Sequence, residues 1–199
     1  MSPTIILMNE HRVIEQVLDC LEVMASRAEH GVLDREAAGE AIDFFRTFAD
    51  RCHHRKEETH LFAALEARGM PKQGGPTGVM RSEHILGRHY LNAMQVAVDR
   101  RRLAEFAQTS RHYLSLLRDH IRKEDHCLFP MADSLLSDAD REQVLAAFDH
   151  VESAEMHAGT HEKYLAIADK LADRFGVPHT ADEIGHPAAV GCGCAQSRP

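Results

Sequence analysis

The sequence predicts an all-α protein: an up-down-up-down four-helix bundle with a fifth, C-terminal helix and a flexible tail. Apolar residues recur at helical spacing along most of the chain, and strand-like alternation is scarce. The intervening stretches are short and rich in Gly and Pro, so successive long helices are expected to run antiparallel. The motif His-x-x-x-Glu also occurs twice, as His53 to Glu57 and His120 to Glu124, in the same phase.

The first helix is expected over about 5–29, with Ile6, Val13, Ile14, Val17, Leu18 and Leu21 on its buried stripe and a stop near His30-Gly31. Asp34 is the expected N-cap of a second helix that runs to Arg68-Gly69. Met70 to Pro76 reads as a loop. A third helix is expected from about Thr77 to Arg100, and a fourth from about Leu103 to Leu135. Ser137-Asp138-Ala139-Asp140 resembles a capping box with Asp in place of Glu. It opens a fifth helix expected to reach Phe175, where Gly176-Val177-Pro178 stops it. The domain reading is a bundle over 1–136, an additional helix packed on it over 137–176, and a flexible Cys-containing tail over 177–199.

The chain has 199 residues, enough for one domain with a real core, and its 44% hydrophobic and 27% charged residues are ordinary for a globular protein. A net charge of −8 without a basic stripe excludes nucleic acid as an expected partner. No apolar run is long enough to span a bilayer. The first residues lack a basic segment ahead of an apolar one, so the expected location is the cytoplasm. Five cysteines, an odd number, read as reduced thiols rather than a disulfide framework.

On a helix, side chains four apart share a face. Each His-x-x-x-Glu therefore aims one imidazole and one carboxylate the same way, and both copies run on into Leu-Phe (Leu61-Phe62 and Leu128-Phe129). A second echo lies on the helices between them: Glu10-His11 and Glu83-His84. Two halves of the form Glu-His, then His-x-x-x-Glu, would converge four imidazoles and two carboxylates on one point. Each metal ion would take two imidazoles, with Glu57 and Glu124 bridging. Such mixed nitrogen and oxygen ligation suits iron or manganese, and the lack of clustered Cys argues against structural zinc. One such motif alone reads more simply as an i,i+4 charge pair on a solvated face. Two copies in phase, with two Glu-His partners, do not.

This arrangement resembles the hemerythrin-like (HHE cation-binding) family, whose pattern is H…HxxxE…H…HxxxE, over about residues 5–135. The resemblance implies that His11, His53, Glu57, His84, His120 and Glu124 ligate two iron ions, ferrous or ferric, bridged by carboxylates and by an oxo or hydroxo group. It also implies binding or sensing of a small oxidant: O2, NO or peroxide. An enzyme that disproportionates peroxide or reduces NO, with an electron donor the sequence does not name, and an iron-handling or iron-centre repair protein are the alternatives. A plain structural helical bundle is the reading without metal. The chain departs from the oxygen carriers of the family, whose third helix resembles H-x-x-x-H. Here the positions four from His84 are Met80 and Arg88, and His89 is about 140° round the helix. A fifth imidazole is therefore not expected from this helix, and reversible dioxygen carriage is disfavoured.

His60 and Cys127 occupy equivalent positions three residues beyond Glu57 and Glu124, and are expected either to support the ligands or to pack above them. His54 and Glu58 read as a surface salt bridge, Cys52 as a buried small hydrophobe, and His112 and His126 as exposed. His157 and His161 on the fifth helix are candidates for additional ligands, with packing the simpler role. Cys192-Gly193-Cys194 is a thiol pair able to chelate a soft metal or act in redox chemistry, or a tail without function.

Overall fold

A computed structural model describes residues 2–151 and 159–180, and within them the chain is helical, without strands. Helix α1 spans Pro3–Glu29, with Pro3 in its first turn. Helix α2 runs over 35–67, opened by Asp34, whose side chain accepts from the Ala37 N–H. Helix α3 is Pro76–Asp99 and α4 covers 103–135. Gly69, at φ +99, ends α2 where a residue with a side chain would be strained. Arg101, at φ 55, makes the tight reversal between α3 and α4.

Neither α2 nor α4 is a regular α-helix throughout: π-helical turns enter at or beside each His-x-x-x-Glu motif. The turns Phe45–His54 and Glu57–Leu61 of α2, and Glu124–Leu128 of α4, are π-helical. Such widened turns bond i to i+5 and are uncommon outside functional sites. Here they carry His53, His54, Glu57 and Glu124, while His11, His84 and His120 lie on regular α-helix.

The helices form a bundle in which α1 packs on α4 and α3 packs on both α4 and α2. Two apolar clusters fill it. One contains Ile14, Leu18, Leu21, Phe45, Met94, Phe106 and Leu117. The other contains Leu7, Leu61, Phe62, Met80, Leu128, Phe129 and Phe148. Along each long helix the histidine falls between residues of the two clusters: Leu7, His11 and Ile14 on α1; Met80, His84 and Leu91 on α3. The polar layer is therefore sealed above and below by hydrocarbon.

The expectation of one helix from 137 to 176 is corrected. Helix α5, Asp138–His150, begins at a capping box in which Ser137 and Asp140 satisfy each other's backbone N–H. A separate helix α6, Thr160–Phe175, begins after Gly159, whose φ of +85 no helix interior tolerates. The two serve different ends of the molecule. Val144 and Phe148 of α5 join the second apolar cluster, and Tyr164 and Leu171 of α6 join the first.

Candidate metal centre

Seven polar side chains from all four long helices meet in the buried layer: His11 from α1, His53, His54 and Glu57 from α2, His84 from α3, and His120 and Glu124 from α4. Their nitrogen and oxygen atoms form two groups, each with all its ligand atoms within 4.8 Å of one another. One is His11, His53, Glu57 and Glu124; the other is His54, Glu57, His84 and His120. Glu57 reaches into both, its Oε1 lying 3.4 Å from His53 Nε2 and its Oε2 3.5 Å from His84 Nε2. Glu124 Oε2 stands between His11 Nε2 at 3.3 Å and His120 Nε2 at 3.2 Å. The two carboxylates thus link the two halves of the internal repeat.

The imidazoles are aimed by a second set of carboxylates. His11 Nδ1 meets Asp125 at 2.7 Å, His53 Nδ1 meets Glu10 at 2.9 Å, His84 Nδ1 meets Glu58 at 2.8 Å and His120 Nδ1 meets Glu83 at 2.9 Å. An ionised carboxylate can only accept, so each Nδ1 carries a proton, and each Nε2 faces the centre, where a bound cation would take the place of a second proton. Cations hold the outer carboxylates in turn. Arg12 binds Asp125, Lys56 binds Glu10 at 2.5 Å, Arg88 binds Glu58 at 2.9 Å and Lys123 binds Glu83. The internal repeat explains the pairing. Glu10 and Glu83, each just before a histidine, serve the histidine of the next helix, and Glu58 and Asp125, each just after the Glu of a His-x-x-x-Glu motif, serve the first histidine of the other half. The repeated phenylalanines act in the same way, Phe129 stacking on His11 and Phe62 on His84.

A centre built so presents lone pairs and carboxylates to itself. His11 Nε2, His53 Nε2 and all four oxygens of Glu57 and Glu124 are buried without a hydrogen-bond partner. Buried acceptors facing one another are costly unless a cation joins them. The electrostatics agree. Burial opposes charge on His53 and His120, yet Glu57 with Glu10, and Glu124 with Glu83, outweigh it and hold both rings up at about 10. Burial and the neighbouring Glu124 push Glu57 up, and His120 and His11 keep Glu124 well below the carboxylate range against its burial. Burial pushes His54 down to about 4 despite Asp50, with His53 and His120 adding to the effect, and burial with His54 lowers His84. The layer demands positive charge, and protons and divalent cations compete for the same lone pairs. The donor set, imidazole nitrogen with carboxylate oxygen, fits iron or manganese.

A model of the hemerythrin HHE cation-binding domain matches residues 2–132. The chain belongs to that family. No curated protein and no solved structure is matched. As a member of the hemerythrin HHE family it is a cation-binding helical bundle, and the matched span contains all seven buried side chains.

Several expectations around the site are corrected. His54 is buried, not on the surface, and faces Asp50 rather than Glu58, which His84 takes. Cys127 is exposed and supports no ligand, while His60 lies against Phe148 and the cavity beside α5. The residues that do hold the buried histidines, Glu10, Glu58, Glu83 and Asp125, share one sequence signal: each is an acid directly beside a repeated His or Glu. His161 stacks on Phe48 at 5.4 Å and is outside both groups. His157 and the Cys192–Cys194 pair lie outside the described residues. Cys52 is buried and His112 and His126 are exposed, as expected. Among the described residues no helix is long and apolar enough to cross a membrane.

Proposed function

We propose that this protein holds two iron ions, through His11, His53, Glu57, His84, His120 and Glu124, and uses them to bind or sense a small oxidant: O2, NO or peroxide. The observation that supports this most is the set of six partnerless buried acceptors, four of them carboxylate oxygens placed between the two halves of the repeat. Iron supplies one-electron chemistry between its ferrous and ferric states. The chain supplies the rest. The outer carboxylates fix each ring by its Nδ1 proton, which raises the basicity of the Nε2 lone pair. The apolar clusters on both sides keep the layer dry, so that its charges act in a low dielectric. We further propose that α1 to α4 run up-down-up-down around this layer, in the cytoplasm, with no nucleic acid among the partners.

Metal analysis of the purified protein, with an optical spectrum, tests the reading. Two irons per chain and a charge-transfer band of a bridged ferric pair are expected, and azide added to the oxidised protein should shift that band. Glu124→Ala and His53→Ala should each carry well below two irons. Zinc in place of iron, or two irons retained in both variants, would overturn it. Many turnovers of oxygen release from peroxide would move the assignment from sensor to enzyme.

A further inference from the structure

The internal repeat breaks at one buried position. His53-His54 on α2 corresponds to His120-Ile121 on α4, so the residue after the first histidine of each His-x-x-x-Glu motif is an imidazole in one half and a hydrocarbon in the other. Both side chains are buried.

His54 shares with the other four imidazoles burial, a place in a group of potential ligand atoms and a carboxylate facing its Nδ1. The buried histidines among the described residues are His11, His53, His54, His84 and His120. A ring nitrogen of His54 lies within 4.8 Å of the ligand atoms of Glu57, His84 and His120. Its ring stacks on His84 with centroids 3.8 Å apart and 16° between planes, and meets His120 edge-on. Its Nδ1 faces a carboxylate, Asp50, at 3.4 Å, and that carboxylate is fixed by Arg88 at 2.8 Å, so the same guanidinium steadies the supports of His54 and His84. Its segment is π-helical, a backbone in which adjacent residues 53 and 54 both turn inward.

Resting on the two-metal reading above, we infer that His54 is a seventh protein ligand, the third imidazole of the metal ion held by His84, His120 and Glu57. The fifth imidazole absent from α3 is thereby supplied from α2. The other ion has only His11 and His53 among imidazoles, because Ile121 stands where the repeat would place another. The two ions are inequivalent by sequence. Ile121 also lines a cavity of about 420 Å³ with Arg12 and Asp125, on the side of His11.

The experiment is anaerobic titration of metal-free protein with Fe2+, followed by calorimetry and by Mössbauer spectra of 57Fe-loaded samples, for the wild type, His54→Ala and His54→Leu. The wild type should take up two ions and show two distinct iron signals. Both variants should keep one ion at wild-type affinity and bind the other at least about tenfold more weakly, since even the loss of an outer partner of a ligand costs that much. Only one of the two iron signals should change. His54→Leu fills the space without a donor, so recovery of normal binding in that variant would show a packing role and overturn the inference. So would two ions at wild-type affinity in both variants, or equal weakening of both ions. A wild type that takes up fewer than two ions would instead overturn the two-metal reading itself. Melting of the metal-free proteins serves as the control that all three fold.

Discussion

The Nε2 atoms of His84 and His120 lie 3.0 Å apart, on α3 and α4, while the Nδ1 of each ring is turned to a carboxylate. If both Nδ1 atoms carry the proton, the two facing nitrogens have lone pairs only and repel one another. A proton or a cation between them removes the conflict, and the whole layer repeats this situation. Fold and metal should therefore be coupled.

Metal removal should lower the melting temperature. At a free metal concentration about a hundredfold above Kd, binding stabilises by about 3 kcal/mol, which for a domain of this size corresponds to about 5–10 °C. Scanning calorimetry before and after chelation measures it. Identical melting of the two forms would mean that the layer does not bind metal in the folded state.

The Lys56 side chain is fully buried against Glu10, and together with His53 it holds the Glu10 carboxyl down at about 2 against its burial. A depressed folded-state value contributes stability that is complete above the ordinary carboxylate value near 4.5 and is lost as the pH falls toward 2. Lys56→Met should cost about 1–3 kcal/mol near neutral pH, because the buried Glu10 carboxylate loses its ammonium partner and keeps only His53. Its acid unfolding should also begin at a higher pH. Adding Glu10→Gln should recover part of the loss. Urea unfolding between acid and neutral pH distinguishes these outcomes.

Phe129 joins the second apolar cluster and stacks on His11 at 5.5 Å. Phe129→Ala should destabilise by about 3–5 kcal/mol, the cost of emptying a well-packed aromatic site. Metal affinity should fall in the same variant, since His11 loses one of the faces that fixes it. An effect on stability alone would show that Asp125 suffices to hold the ring.

Thiol reactivity should follow burial. Cys20 is buried, and burial with the nearby Asp19 pushes its thiol up to about 12, so little thiolate exists below that pH. Cys127 is exposed. Iodoacetamide at roughly pH 8.5, where an ordinary thiol is about half ionised, should label Cys127 and spare Cys20 in the native protein, as read by peptide mass spectrometry. Labelling of Cys20 at the same rate would show that α1 opens.

Much of this protein was legible in its residues alone, for reasons local to the chain. Asp34, Ser137 with Asp140, Gly69 and Gly176 mark helix ends because they satisfy or spare specific backbone groups, and the helices begin and end beside them. Six of the seven buried polar side chains were visible as an in-phase repeat, since helical spacing converts a four-residue interval into a shared face. The same regular geometry hid the seventh. Reasoning from an ideal α-helix puts His54 one position off the inward face, and only the π-helical turns of the folded α2 place it beside His84. Tertiary structure also decided which carboxylate serves which histidine. Glu58 lies four residues from His54 in sequence but bonds His84 across the bundle, because Asp50 already faces His54 and Arg88 ties both acids to α3. The break at Gly159 belongs to the same class: the helical pattern runs through it, and the separate packing of α5 and α6 on the two apolar clusters sets the boundary.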